Sequence, residues 1–287
     1  METERQAARP CAGHPGAGRD YVLGHSDDEL RRLAGQSRFF GELTAQVLGA
    51  AGVGRGMRVL DAGCGAGDVS FLAAELVGST GVVVGVDKSA GAVAAARKRA
   101  SAAGLRNVAF IEGDICDLTP GHPFDAVVGR LVLMHQPDPA AALGHLAGHV
   151  RPGGLIIFQE MDISGAKSLP EAPLFEQTAR CVAETLRRAG AETRMGLKLY
   201  RTFAAAGLPA PRMLMGARVE GGPDSYAYEL LAETARTLLP LMERFGVATP
   251  EQISIETLAA RLRREVVRGG GVIVVPPLVG AWARKPR

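Results

Sequence analysis

The chain has 287 residues, of which 47% are hydrophobic, and its formal net charge is +3. That hydrophobic fraction can fill the core of one large α/β domain with an appended element. The small net charge does not indicate a nucleic-acid partner, and no apolar run reaches the roughly 18 residues that a membrane span needs. The polar N-terminus lacks the apolar stretch of a secretory signal, and the four cysteines show no metal-ligand spacing. We therefore predict a cytoplasmic protein with no nucleic-acid partner, no membrane segment and no metal site.

The N-terminal part of the chain divides into a tail and a helical segment. We predict a flexible tail over residues 1–20 and helices over residues 21–56. Ser26 and Glu29 form a capping box, and apolar residues then recur at helical spacing. We expect two short helices here, with a break near Gly41.

Residues 57–222 contain short apolar strands that alternate with helices. The strands are predicted at 57–62, 82–86, 108–111, 124–129 and 155–159, and the helices at 68–77, 89–103 and 139–150. Asp68 is the expected N-cap of the first of these helices. Because each strand is an almost continuous apolar run, the pattern predicts a doubly wound α/β fold with a parallel sheet covered on both faces. The ligand of such a sheet lies beyond the carboxyl ends of its strands.

The last third of the chain departs from this alternation. Helices at 174–188 and 197–206 precede a predicted strand at 212–220. A helical insertion over residues 223–270 is expected to lie over the sheet edge or the pocket as a substrate cap. Residues 271–287 return to the sheet with a final strand at 278–284.

The stretch 59–70, VLDAGCGAGDVS, contains a glycine loop between the first strand and the helix that follows. Such loops present backbone N–H groups to a nucleotide. The spacing Gly63-x-Gly65-x-Gly67 differs from the G-x-G-x-x-G of dinucleotide sites, and no Gly-Lys-Ser/Thr of a P-loop is present. Asp68 stands where the third dinucleotide glycine would be, and its carboxylate would repel a pyrophosphate. The loop therefore indicates a nucleoside without phosphates.

Carboxylates at the ends of the next two strands restrict the class of ligand further. Asp87 ends the second strand, about 20 residues past the glycines, where it can accept hydrogen bonds from both ribose hydroxyls. Asp114 follows the third strand and is a suitable acceptor for an adenine amino group, with Ile115 beside the ring. These residues together suit an adenosine.

Five segments carry a resemblance to a known family: VLDAGCGAGDVS, VVGVDKS, EGDICDL, FDAVVGRLVLMH and VRPGGLIIFQE. In this order and spacing, over residues 57–160, the chain resembles the class I S-adenosylmethionine-dependent methyltransferases. The resemblance implies a Rossmann-like, mostly parallel seven-stranded sheet with an antiparallel strand, and S-adenosylmethionine as the cofactor. It also implies that the N-terminal helices form a lid.

The resemblance assigns cofactor contacts in the glycine loop and beyond the second strand. Asp61 and Gly63 would contact the methionine end of the cofactor, and Gly65 and Gly67 would let the chain pass close to it. Lys88 would lie near the adenosine edge, although it is equally consistent with a solvated surface lysine.

Other implied contacts come from the fourth strand and the N-terminal segment. Arg130 and Leu131 follow the strand where the family's backbone meets the amino group of the cofactor. Tyr21 or Arg38 would hold the cofactor carboxylate, or each has an ordinary surface role.

Methyl transfer is an in-line displacement, so that positioning the acceptor atom supplies much of the catalysis. His135 is the first candidate for a general base, since a neutral imidazole accepts a proton at pH 7. It is equally interpreted as a histidine at a helix start that bonds to local backbone. Glu160 ends the fifth strand and is expected to orient a hydroxyl or pair with an amine, or to solvate its loop.

The sequence thus predicts an enzyme that transfers a methyl group from S-adenosylmethionine to an oxygen or nitrogen atom of a small organic molecule, such as a specialised metabolite. The protein is expected to be a monomer or a homodimer. Two alternatives stay open: an enzyme of the same fold that catalyses a rearrangement or cyclisation without methyl transfer, and a peptide methyltransferase.

Overall fold

A computed structural model describes residues 27–119 and 121–287, with side chains from Phe39 onward. The predicted tail, Tyr21 and the Ser26 cap lie outside the described residues. The helices are α1 (Asp27–Ala51), α2 (Asp68–Val77), α3 (Ala90–Ala102), α4 (Pro139–Gly148), α5 (Pro173–Arg188), α6 (Met195–Ala205), α7 (Ala227–Arg244), α8 (Pro250–Ile253) and α9 (Ile255–Arg268). The strands are β1 (Arg58–Ala62), β2 (Val82–Asp87), β3 (Val108–Glu112), β4 (Phe124–Arg130), β5 (Val150–Met161), β6 (Lys167–Leu169), β7 (Arg212–Gly216), β8 (Val219–Gly221), β9 (Val272–Val274) and β10 (Leu278–Arg284).

Seven of these strands form the main sheet, in the order β3-β2-β1-β4-β5-β10-β7. The pairs from β3 to β5 are parallel, and β10 runs antiparallel to both of its neighbours, β5 and β7. This confirms the predicted doubly wound, mostly parallel sheet of seven strands. The strand order reverses between β1 and β4, and in such sheets the ligand crevice opens at that point.

The apolar runs of the central strands are explained by burial on both faces of the sheet. Alternate residues of β1, β4 and β5 belong to two hydrophobic clusters, one beneath α1 and α2 and the other beneath α4 and α6. The first cluster contains Val59, Val128 and Ile157, and the second contains Leu60, Val127 and Ile156. A strand without a solvent-facing side shows no polar alternation.

Helix α1 is continuous, and the predicted break near Gly41 is wrong. A Cβ atom at Gly41 would meet nothing within 4 Å, so that this glycine marks no bend or close contact. The helix is held by its buried face, where Phe40, Val47 and Leu48 pack over the sheet. Packing of this face outweighs the unfavourable helix propensity of one glycine.

The predicted N-cap of α2 is also wrong. Gly67 occupies the cap position in the left-handed region (φ 90°), and no side chain caps the helix there. Asp68 begins the helix, and its carboxylate instead forms an ion pair with Arg99 at 2.6 Å. Asp68 therefore pairs with a positive charge and does not cap the helix.

The predicted strand at 212–220 is two strands in two different sheets. The chain leaves the main sheet after Gly216, where a Cβ atom would lie 2.6 Å from Leu43 of α1. Residues Val219–Gly221 then pair with β9 in a small antiparallel sheet, β6-β9-β8, which the sequence did not predict. Its strands have three residues each, too few to show a periodic pattern.

Helices α7, α8 and α9 form the predicted helical insertion between β8 and β9. Helix α7 packs against α1, α5 and α9, and its Tyr228, Leu238 and Met242 are fully buried. These apolar residues are therefore core packing. The role of the insertion as a substrate cap stays a prediction, as does that of the N-terminal segment as a lid. No helix within the described ranges is long and apolar enough to cross a membrane.

Two glycine substitutions test the placement of α1. Gly280 of β10 lies beneath the helix, and a Cβ atom there would be 2.5 Å from Val47 Cγ2. We expect Gly280→Ala to lower the free energy of unfolding by about 1–3 kcal/mol through overpacking. Gly41→Ala should raise it by about 0.5–1 kcal/mol, because alanine favours a helix interior and meets open space. Urea unfolding of both variants measures these changes, and a loss of stability in Gly41→Ala would contradict a continuous helix.

Candidate functional site

The glycine loop between β1 and α2 lies at the point where the strand order reverses. Gly63, Gly65 and Gly67 all have left-handed backbone, with φ of 68°, 52° and 90°. A Cβ atom at Gly63 would lie 2.7 Å from Val132 Cγ2, and one at Gly67 would lie 2.9 Å from the Phe110 ring. At Gly65 it would meet nothing within 4 Å. Packing thus requires the outer two glycines, whereas the middle one faces open space that a ligand can fill.

Asp61, at the carboxyl end of β1, is 1% exposed. Its Oδ2 atom accepts a hydrogen bond of 2.5 Å from Ser70 Oγ, while Oδ1 has no hydrogen-bond partner among the described residues. Burial raises the pKa of Asp61 to about 7, against the opposing effects of the Ser70 hydrogen bond and of Arg130. A buried acceptor without a donor is costly, and a cationic ligand group would satisfy it.

Arg130 brings the compensating positive charge from the end of β4. Its side chain is 10% exposed, and Nη2 lies 3.8 Å from Asp68 Oδ2. Nη1 donates to Thr44 Oγ1 of α1 at 3.1 Å, and that hydroxyl donates in turn to Gln159 Oε1 of β5 at 2.8 Å. This network ties α1, α2, β4 and β5 together beneath the glycine loop.

Asp87, at the end of β2, holds the glycine loop from the other side. Oδ2 accepts a hydrogen bond from Gly65 N at 2.8 Å, and Oδ1 accepts one from Ser89 N at 2.9 Å. An ionised carboxylate has about four acceptor positions. Each oxygen of the half-buried Asp87 therefore retains acceptor capacity, as two vicinal hydroxyls would require.

The residues predicted to surround an adenine follow β2 and β3. Ile115 is buried, and Asp114 is exposed, with its Oδ1 atom accepting a hydrogen bond from Cys116 N at 2.9 Å. Lys88 lies exposed in the turn after β2. The ligand roles of these three residues stay predictions. Tyr21 and the side chain of Arg38, also predicted to contact the cofactor, lie outside the described residues.

The chain turns sharply after β4. Leu131 has a φ of 58°, and Ser254 is the only other described non-glycine residue with a positive φ. Leu133–His135 forms a single 3₁₀ turn that ends at the half-buried His135. The structure therefore places this predicted base at the crevice edge of β4, and its catalytic role stays a prediction.

Glu160, the second predicted catalytic residue, contacts the turn that follows β4. It is fully buried, and its carboxylate accepts hydrogen bonds from the backbone N–H groups of Val132 (2.9 Å), Leu133 (2.7 Å) and Met134 (3.3 Å). Burial raises its pKa to about 7, and the three hydrogen bonds oppose that shift. The role of Glu160 in orienting a substrate hydroxyl or pairing with an amine stays a prediction.

Several polar residues of the site were missed by reasoning from the sequence. Ser70 carries a local signal, because one turn of α2 brings it back over the end of β1. Thr44, Gln159 and Arg99 carry none, since their partners lie 31 to 115 residues away in the chain. Within the part of the chain that the structure describes, no three His, Cys, Asp or Glu side chains are placed as metal ligands would be.

Residues 54–207, more than half of the chain, match the model of a family described as a methyltransferase domain. The chain belongs to the class I S-adenosylmethionine-dependent methyltransferases.

The chain is similar to two curated relatives and to a solved structure. Aklanonic acid methyltransferase of Streptomyces sp. (strain C5) is 44% identical over 106 residues, 36% of this chain and 47% of the relative. Demethylmenaquinone methyltransferase of Staphylococcus aureus (strain MRSA252) is 33% identical over 127 residues, 44% of this chain and 49% of the relative. The chain spans about half the length of the curated relatives it matches. A solved structure of a protein from Bacillus halodurans C-125 has a TM-score of 0.57 at 17% identity, covering 85% of this chain and 99% of that chain, which shows the fold.

The crevice of the methyltransferase fits the family's cofactor on three observations. Asp61 Oδ1 is a buried acceptor to which no described residue donates a hydrogen bond, and it is suited to the ammonium of the methionine part. The space over Gly65 admits a ligand close to the backbone. Asp87 retains acceptor capacity on both oxygens, suited to the ribose hydroxyls. These residues would hold S-adenosylmethionine along the carboxyl ends of β1 and β2.

The buried carboxylate at the end of β1 makes the stability of the methyltransferase depend on pH. The pKa of Asp61 is about 7 in the native state and near 3.8 in the unfolded chain. Its protonated form therefore stabilises the native state fully below pH 4, and this contribution is lost as the pH rises through 7. Between pH 5.5 and pH 8 the loss is about 2 kcal/mol for one such group.

We expect Asp61→Asn to remove that share of the pH dependence in guanidinium unfolding at pH 5.5 and pH 8. Part of the dependence should persist, because the pKa of Glu160 is also raised to about 7. Asp125→Asn is the matched control, since Asp125 accepts hydrogen bonds from Arg58 N and Arg151 Nε, which outweigh burial and lower its pKa. It should lower stability at both pH values without changing the slope. An Asp61→Asn slope equal to that of the wild type would contradict the buried proton.

Proposed function

We propose that this methyltransferase transfers the methyl group of S-adenosylmethionine to an oxygen or nitrogen atom of a small organic molecule, such as a specialised metabolite. The observation that supports this most directly is the buried Oδ1 atom of Asp61, which has no hydrogen-bond partner among the described residues, in a crevice that also leaves open space over Gly65. A cationic amino group attached to a nucleoside satisfies both features. A dinucleotide or nucleoside triphosphate brings only negative charge to the same place.

Each part of the cofactor has a proposed partner in the crevice. Asp61 pairs with the ammonium, and the backbone after Arg130 and Leu131 approaches the same group. Asp87 accepts hydrogen bonds from the ribose hydroxyls while it keeps Gly65 N in place. Asp114 and Ile115 receive the adenine.

Bound S-adenosylmethionine supplies a methyl group that is already activated on a sulfonium sulfur. The residues of this chain need only to orient the acceptor and, for a hydroxyl, to remove its proton. His135 is the proposed base, because it ends the turn that β4 extends into the crevice. An amine acceptor that binds in its neutral form would need no such residue, since it can attack before it loses a proton.

The substrate class rests on the relatives and on the elements that lie outside the shared core. Both curated relatives are named for small organic acceptors, aklanonic acid and demethylmenaquinone. In this chain, α7 packs against α1 and α5, so that the apolar insertion lies beside the N-terminal helix. We propose that these elements together enclose a mainly apolar acceptor.

The cofactor assignment is tested by binding of S-adenosylhomocysteine, measured by isothermal titration calorimetry. We expect micromolar affinity for the wild type and a loss of ten-fold or more in Asp87→Ala. The matched control is Asp125→Ala, because Asp125 also accepts a backbone hydrogen bond, from Arg58 N at 2.8 Å, but at the opposite edge of the sheet. Its affinity should stay within two-fold of the wild type, and equal affinities in all three proteins would rule out the role of Asp87.

The reaction itself is tested with methyl-tritiated cofactor and a panel of phenols, organic acids, amines and peptides. Methyl transfer predicts that tritium appears in one class of small acceptor. A rearrangement or cyclisation would consume an acceptor without labelling it, and labelling of peptides alone would favour the peptide methyltransferase. Either result would overturn the proposed acceptor class while leaving the cofactor site intact.

A further inference from the structure

The turn that follows β4 is held by one side chain from the neighbouring strand. The two carboxylate oxygens of Glu160 accept from three consecutive backbone N–H groups, those of Val132, Leu133 and Met134, at 2.9, 2.7 and 3.3 Å. Glu160 is 0% exposed. Because it belongs to β5, its position is fixed by parallel pairing with β4, in which Arg130 lies opposite Gln159.

These three N–H groups are the ones that the turn cannot satisfy by itself. Hydrogen bonds of a 3₁₀ turn run from residue i+3 to residue i, so that the first N–H groups have no partner within it. The first internal bond here is donated by His135 N to Val132 O at 3.2 Å. Glu160 supplies acceptors for all of the preceding groups at once.

The same turn contains backbone strain at its entry. Leu131 adopts the left-handed region, φ 58°, which is unfavourable for a residue with a side chain. Such a conformation persists only where the surroundings hold it. The structure shows two such restraints: Leu131 N donates to Gln159 O at 2.9 Å, and the Glu160 carboxylate binds the next three residues.

The turn is in direct contact with the glycine loop. Val132 fills the space above Gly63 so closely that a Cβ atom there would lie 2.7 Å from Val132 Cγ2. On the other side, Glu192 N donates to Met134 O at 2.8 Å, which joins the turn to the segment before α6. A displacement of the turn would therefore move both Arg130 at its start and the loop that faces the ligand.

We propose that Glu160 is a positioning residue, whose ionised carboxylate clamps the turn 131–135 in the strained conformation that completes the cofactor site and presents His135. This inference rests on the proposed function, since it concerns the same crevice. Glu160 touches no ligand atom in this role. It acts through the backbone of Val132, Leu133 and Met134.

The charge of the carboxylate matters to the clamp. An ionised carboxylate only accepts hydrogen bonds, whereas the protonated form carries an O–H donor that faces another donor. Burial and the three N–H groups are what set the pKa of Glu160, which is about 7. The clamp should therefore be complete above pH 8 and weakened at pH 6.

A second glutamate allows a structural role to be separated from positioning. Glu265 of α9 accepts from Leu174 N at 3.0 Å and from Phe175 N at 3.2 Å, at the start of α5. It uses the same interaction, a carboxylate on consecutive N–H groups, but it holds a helix start rather than the β4 turn. Glu265→Gln is therefore the matched control for Glu160→Gln.

The test measures S-adenosylhomocysteine affinity by calorimetry at pH 8.5 and pH 6 for the wild type and both variants. We expect Glu160→Gln to weaken binding at least five-fold at pH 8.5 and less than two-fold at pH 6, where the wild type itself is largely protonated. Titration of Asp61 affects all three proteins alike. Its effect therefore cancels when the dissociation constant of each variant is divided by that of the wild type at the same pH. Glu265→Gln should stay within two-fold at both pH values.

The outcomes separate this inference from the proposed function. If the wild type binds S-adenosylhomocysteine but Glu160→Gln binds equally well at pH 8.5, the positioning role is overturned. If the wild type does not bind it, the proposed function fails instead. In that case the clamp is tested in the wild type without ligand, by the amide ¹H–¹⁵N signals of Val132, Leu133 and Met134. The same measurement tests the clamp if Glu160→Gln does not fold. These signals should shift with one common midpoint near pH 7, and signals that stay constant from pH 6 to pH 8.5 would overturn the clamp.

Discussion

The burial of Asp61 at the end of β1 is the constraint around which the site is organised. A carboxylate removed from water is unfavourable unless donors replace its hydration. Ser70 provides one donor, and Arg130 provides charge without contacting the second oxygen. The donors among the described residues thus leave part of the desolvation cost of Asp61 uncompensated. A ligand that brings a cationic donor to Oδ1 would replace the lost hydration of the carboxylate. Because folding has already desolvated Asp61, binding of such a ligand does not have to include that cost again.

The two loops of the crevice, after β1 and after β4, are held in the same way. Each carries backbone N–H groups that point away from regular structure, and each is held by a carboxylate from the adjacent parallel strand. Asp87 of β2 binds the loop after β1, and Glu160 of β5 binds the turn after β4. Because strands β1 and β4 flank the point where the strand order reverses, these two carboxylates hold its two sides. Carboxylates from neighbouring strands therefore restrain the backbone on both sides of the crevice.

Much of this arrangement could be predicted from the sequence, for reasons that are local. Strands β1, β4 and β5 are continuous apolar runs because both of their faces are buried. Asp87 follows the glycines at a distance that one strand–helix–strand unit determines. The role of Glu160 could not be predicted, since its partners lie 26 to 28 residues earlier and depend on the pairing of β4 with β5. Helix α1 was predicted as two helices because Gly41 was given its local propensity, whereas packing of Phe40, Val47 and Leu48 decides the outcome.

The antiparallel strand β10 has a consequence for how the protein folds. All seven of its residues pair with β5 and the first five also pair with β7, although more than 100 residues separate β5 from β10 in the chain. During synthesis the apolar edge of β5 therefore leaves the ribosome long before its partner does. An open edge of this kind invites pairing with other chains, and contacts between distant residues form slowly. The central sheet is thus most exposed to misassembly while the helical insertion that precedes β10 is still being made.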